Sequence, residues 1–182
     1  MTEKRKENPQ RALSKNLIVH ALMNLMKEKP YKEIKVTELA QRADLSRRTF
    51  YRHFATIDEV LDFTLQQISE QYRCYQTEQN PTDLKSVIYI YFLYFEKRKD
   101  FLFTLHKNGL LYLLLQKVRP VPNSNKATAL LSEDTTNALI EYAICFSIGA
   151  IGSLLEKWIE TGATYSAKEM ADITEKILQH LK

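Results

Sequence analysis

The chain has 182 residues, 45% apolar and 26% charged, with only 4 Gly and 5 Pro; this is the balance of a globular chain with a buried core, and so few breakers favour long helices over many short strands. Its charge is lopsided, with 13 Lys/Arg against 6 Asp/Glu in residues 1–55 and 13 against 16 in residues 56–182, so one end is suited to a polyanion. The two cysteines, Cys74 and Cys145, lie in no CxxC pair and near no histidine cluster, which excludes a disulfide framework or a zinc pattern and points to reduced thiols.

Residues 1–12 read as a polar tail, and the charged start has no apolar stretch behind it of the kind a secretory signal needs. From Leu13 the apolar positions 13, 17, 18, 21, 22, 25 and 26 form the stripe of one helix, which Ser14 can cap and Pro30 ends. A short helix is predicted over 36–43, with Leu39, Ala40 and Ala43 inward, then a tight turn at Asp44–Leu45. Ser46 caps a two-turn helix over 47–54. Thr56 and Glu59 make a capping box that opens a long amphipathic helix to about Gln79.

Pro81 separates this helix from the next, over 82–97. Its run Val87–Phe95 has the β-branched and aromatic composition of a strand. No hairpin turn or partner strand stands nearby, so it reads as a buried helix. Short helices follow near 100–107 and 110–118, then a loop over 119–133 with Pro120, Pro122, Asn123 and Asn125. A long apolar helix spans roughly 135–160, ended by Gly162. Its longest uncharged stretch, Tyr142–Leu155, is 14 residues, short of the ~18 needed to cross a bilayer. No membrane is therefore expected, and the place of the protein is the cytoplasm. Ser166, with Glu169 at the capping-box position, starts a last helix over 167–181. The predicted fold is all-α: a three-helix head over 1–55 and a helical bundle over 56–182, about nine helices in all.

The segment from Val36 to Phe54 reads as helix, four-residue turn, helix, which is a helix-turn-helix whose second helix enters the major groove. Ala40 and Ala43 are small enough to let the two helices cross closely. Asp44 sits where the turn needs the left-handed region, which Asp tolerates better than most. Leu45 plugs the junction. Phe50 and Phe54, four apart, both point inward. Arg48, Thr49 and Arg52 then face outward, flanked by Tyr51 and His53. Arg47 lies nearer the buried side, yet is long enough to reach out. Such a face is poor for packing and suited to DNA: Arg forks onto guanine O6/N7, and Tyr reaches bases or phosphates.

Leu39-Ala40, Ala43-Asp-Leu-Ser46 and Thr49-Phe-Tyr-Arg-His-Phe54 resemble the recognition signature of the TetR family of transcription regulators, over about residues 14–62. The body resembles the branch with a Firmicutes-type C-terminal domain, through Arg98-Lys-Asp-Phe-Leu-Phe103, Gly109-Leu-Leu and Trp158-Ile-Glu-x-Gly162. The resemblance implies that Arg47, Arg48 and Tyr51 read base edges. It also implies that Thr49 and His53 hold phosphates, that Thr37 opens its helix beside the groove, and that Lys15 and the basic tail add backbone contacts. Residues 56–182 become an effector-binding and dimerisation domain. The chain departs from the family at Lys35 (usually a Ser or Thr cap), Asp44 (usually Gly), Arg48 (usually small) and Ile57 (usually a phosphate-binding Lys). Arg48 should change the operator sequence, and Ile57 removes one phosphate contact from each subunit.

One two-turn helix reads too few base pairs for specificity, so a symmetric dimer on a palindromic operator is expected. Ala138, Tyr142, Phe146, Gly149, Ala150, Ser153 and Trp158 on the long helix, with Ile173, Ile177 and Leu181 on the last, are the expected dimer surface. Gly149, Ala150, Gly152 and Ser153 permit close helix approach. The candidate pocket for a small-molecule effector is lined by Tyr91, Phe95, Phe103, His106, Tyr112 and Phe146. The sequence carries no nucleophile elbow, phosphate-cradling glycine loop or metal-ligand spacing, so no enzyme, cofactor or metal is expected. The leading expectation is a dimeric repressor released by an effector. The rivals are an activator of the same family and a helical interaction module that keeps the head without binding DNA.

Overall fold

The computed structural model describes residues 9–118 and 137–180. The expected polar tail up to Asn8, the 119–133 loop and Leu181 lie outside the described residues. The chain divides into two compact units, Met1–Gln67 and Ile68–Lys182, and every regular element among the described residues is helical.

The first unit holds α1 (Pro9–Glu28), a 3-10 turn (Tyr31–Glu33), α2 (Val36–Arg42), α3 (Arg47–His53) and the start of α4 (Ile57–Gln79). α1 begins a full turn earlier than the apolar stripe predicts. Proline suits a first helical turn, where its missing N–H costs nothing. Ser14 is therefore no cap, and its hydroxyl donates to the Gln10 carbonyl at 3.0 Å. Ile18, Ala21, Leu22, Leu25 and Met26 fill the core, whereas Leu13 and Leu17 are 60% and 41% exposed. Arg42 grips both carboxylate oxygens of Glu28 at 2.7 Å and Lys29 pairs with Glu38, which ties α1 to α2.

The turn after α2 is a Schellman motif. The Leu45 N–H reaches the Ala40 carbonyl at 2.9 Å, the Asp44 N–H reaches Gln41 at 3.0 Å, and Asp44 has φ 53°. Phe50 and Phe54 are buried, and the Phe54 ring meets Phe63 of α4 at 5.5 Å. That contact lies within the first compact unit, which includes the start of α4 up to Gln67. At the start of α4 the Thr56 hydroxyl accepts the Glu59 N–H at 3.1 Å. The Glu59 carboxylate takes the N–H of Ala55, one residue before the expected partner.

The second unit holds the rest of α4, then α5 (Leu84–Glu96), α6 (Lys99–Lys107), α7 (Leu111–Lys117), α8 (Asn137–Glu160) and α9 (Ala167–His180). Asp83 caps α5 in a reciprocal box with Ser86, at 2.8 and 3.2 Å. The ambiguous Val87–Phe95 run is helical, because burial of seven of its side chains overrides strand propensity. α5 packs mainly on α9. Lys85 bridges to Asp172 at 2.8 Å and Glu175 at 2.7 Å. Ser166 and Glu169 form the expected capping box at the start of α9.

Trp158 corrects an expectation. It is 1% exposed, its ring meets Phe92 edge-on at 5.5 Å, and its Nε1–H donates to the Tyr165 carbonyl at 2.8 Å. It is a core residue of its own unit, not a docking one. A Cβ added at Gly152 would likewise meet the Leu115 side chain at 3.9 Å, while one at Gly149 would meet open space. Segment Glu141–Glu160 of α8, with mean hydropathy 1.2, is long and apolar enough to cross a membrane. The uncharged stretch alone understated it. The core helix of a bundle has the same composition.

Candidate nucleic-acid interface

The site is built on α3. Ser46 accepts the Thr49 N–H at 3.1 Å and its hydroxyl lies 3.0 Å from that of Thr49, so one serine both caps the helix and fixes Thr49. Phe50 and Phe54 anchor the inner side. Arg47, Arg48, Tyr51 and Arg52 are exposed, and Thr49 and His53 are half-buried at the edges. The Tyr51 ring is held edge-on to Phe50 at 5.4 Å. The three arginines form no ion pair among the described residues, so their charge is available to a polyanion.

Two grooves flank the helix. One, of about 690 Å³, is lined by Lys32, Lys35, Thr37, Arg47, Tyr51 and Ile57, among others, and by Asp58. The Tyr31 hydroxyl donates to Asp58 at 2.5 Å, and burial with this bond keeps the tyrosine proton on well above its usual range. The other, of about 760 Å³, is lined by Arg11, Leu13, Leu17, Leu45, Arg52 and His53. Thus Arg47 and Tyr51 serve one side, Arg52 and His53 the other, and Arg48 lines neither of these two. Of the expected DNA contacts, Lys15 stands apart, with its ammonium 4.9 Å over the Phe63 ring. Arg11 belongs to the basic tail that the resemblance implies adds backbone contacts, whereas Lys32 and Lys35 are not among the DNA contacts that the sequence suggests. The signal for these two lysines was the lysine run at 27, 29, 32 and 35.

In the second unit, Tyr91 and Phe95 are fully buried, 4.9 Å apart, and Tyr72 packs edge-on to Tyr91 at 5.5 Å. The hydroxyls of Tyr72 and Tyr91 are buried without a hydrogen-bond partner among the described residues, and burial pushes both well above the usual tyrosine range. Phe103 and His106 are half-buried, while Tyr112 and Phe146 are 54% and 68% exposed. The expected pocket residues are therefore not one enclosed set. On α8, Ala138, Tyr142, Phe146, Gly149, Ala150 and Ser153 are all exposed, Tyr142 by 75%. On α9, Ile173 is half-buried and Ile177 is 44% exposed.

Residues 18–62 match the model described as bacterial regulatory proteins, tetR family, and residues 82–180 match one described as a transcriptional regulator C-terminal region. No curated protein matches in sequence. The fold is similar to that of the dihydroxyacetone kinase operon activator DhaS, 16% identical, with a TM-score of 0.62 over 92% of this chain and 95% of that one. It is also similar to a tetR-family transcriptional regulator from Streptomyces coelicolor, 17% identical, with a TM-score of 0.57 over 86% of this chain and 76% of that one. Head and body are both accounted for by the two matches, and the chain belongs to the TetR family of DNA-binding transcription regulators.

Proposed function

We propose that two copies of the chain associate through α8 and α9, bind a palindromic operator, and repress the adjacent gene until a small molecule enters the helical body. The observation that carries this reading is the exposed face of Arg47, Arg48 and Arg52 on α3, which no described carboxylate neutralises. α3 has 7 residues, too few to specify a site alone, so two heads on a two-fold axis are the economical solution. The exposed Tyr142 and Phe146, beside Gly149 and Ala150, support α8 as the dimer surface, since contiguous exposed apolar groups mark interfaces. The buried hydroxyls of Tyr72 and Tyr91 support an effector site. Each unsatisfied hydroxyl costs about 1–3 kcal/mol, which a ligand bringing a hydrogen-bonding group would recover. Repression follows most simply, because occupying the major groove blocks a polymerase without any further surface.

Selection of genomic fragments by the purified protein tests the reading, followed by a titration of the best fragment against salt. One enriched palindrome, with affinity falling steeply as salt rises, supports it. Weak, equal binding to every fragment sinks the operator. Transcription of the flanking gene then gives the sign: removing the protein raises it for a repressor and lowers it for an activator.

A further inference from the structure

We propose that Lys32 and Lys35 form a phosphate clamp on the DNA strand running beside α3, on the side of Arg47 and Tyr51. The inference rests on the DNA-binding reading of the head. Both lysines are exposed and line the same groove as Thr37, Arg47 and Tyr51. Ile34, Val36, Ala55 and Ile57 also line that groove and carry no charge, so its positive charge comes from the two lysines and Arg47.

The neighbouring cations are already committed. Lys29 pairs with Glu38 and Arg42 grips Glu28, whereas Lys32 and Lys35 form no ion pair among the described residues. Asp58 is the one carboxylate among the lining residues, and it accepts the Tyr31 hydroxyl. Glu33 lies outside the lining.

Lys35 also breaks a local rule. It occupies the N-cap of α2 and makes no capping hydrogen bond, where Ser, Thr, Asp or Asn would stabilise the helix. Lys35 leaves its helix without a side-chain cap and gains no ion pair among the described residues, and local rules are broken mainly at functional sites. A lysine ammonium, a compact charge on a flexible stem, meets a phosphate without needing fixed geometry.

The test is the double variant Lys32→Ala/Lys35→Ser, bound to the enriched operator and to unrelated duplex over a range of salt. The serine restores a cap, so the thermal midpoint stays level or rises. Affinity falls alike for both DNAs, on the order of tenfold at physiological salt. The slope of log affinity against log salt becomes shallower by roughly 0.9 for each phosphate that is no longer neutralised. Lys32→Ala alone, which touches no cap, gives part of the same change. An unchanged affinity and slope overturns the clamp, as does a changed operator preference, which would make the lysines base readers. If the unmodified protein binds no DNA under any condition, it is the DNA-binding reading that fails and not the clamp alone.

Discussion

Arg48 and His53 are expected to fail differently when removed. Arg48 is exposed on the outer side of α3 and lines neither flanking groove. If it forks onto a guanine, Arg48→Ala costs about 1–3 kcal/mol and relaxes preference at one operator position. His53 lines the groove shared with Arg11 and Arg52, so His53→Ala weakens all sequences alike. Titration against a set of single-base operator variants separates the two, and an Arg48→Ala protein with parental affinity and preference removes Arg48 from the base readers. In the body, Tyr91→Phe deletes a buried hydroxyl that has no hydrogen-bond partner among the described residues, so stability rises by about 1 kcal/mol while any effector response through that hydroxyl is lost. Chemical denaturation checks the first effect. Such residues differ in how far the sequence reveals them. Asp44 in the left-handed turn and Phe50 in the core follow from spacing within one short segment. Lys32 and Lys35 do not, because their groove is assembled from the 3-10 turn, α2, α3 and the start of α4, and no helical wheel spans four elements.

Three helix starts were legible because a side chain meets the backbone three residues away, whereas the Asp83 cap of α5 was not anticipated. Ser46, Thr56 and Ser166 all cap as the sequence predicts. The start of α1 was not, since a proline in a polar segment looks the same in a tail as in a first turn. The strand-like run in α5 was settled by its surroundings, because a helix buried on nearly all sides can be filled with β-branched and aromatic residues. The caps give a direct test. Ser46→Ala removes the acceptor of the Thr49 N–H and the hydroxyl beside Thr49, so the head should lose about 1 kcal/mol of stability. DNA affinity should fall for all sequences, because the whole reading face sits on that short helix. Ser46→Asp should recover the stability and still bind DNA weakly, since it caps equally well but adds a negative charge beside the phosphates. Equal stability of the alanine variant and the parent in denaturant would show that α3 is held by Phe50 and Phe54 alone.

A dimer needs a surface that one chain leaves uncovered, and α8 has one. Its inner positions Ile151, Leu155, Trp158 and Ile159 are buried within the chain, while Tyr142 and Phe146 are 75% and 68% exposed. The same helix therefore builds a core on one side and leaves an apolar face on the other, which explains a hydropathy that a bilayer span could share. Phe146→Glu exploits the difference. In a single chain the new carboxylate stays in water, so the fold should tolerate it, and the sole tryptophan, Trp158, reports this by unchanged buried fluorescence. In an isologous interface each change appears twice, so two carboxylates enter one desolvated patch, a penalty of several kcal/mol that the polar rim does not offset. Sedimentation equilibrium should then find a monomer for the variant and a dimer for the parent. Binding to the full palindrome should collapse toward the weak affinity of one head on a half-site. A Phe146→Glu protein that remains dimeric would move the two-fold axis away from the middle of α8, and the exposed face there would belong to some other contact.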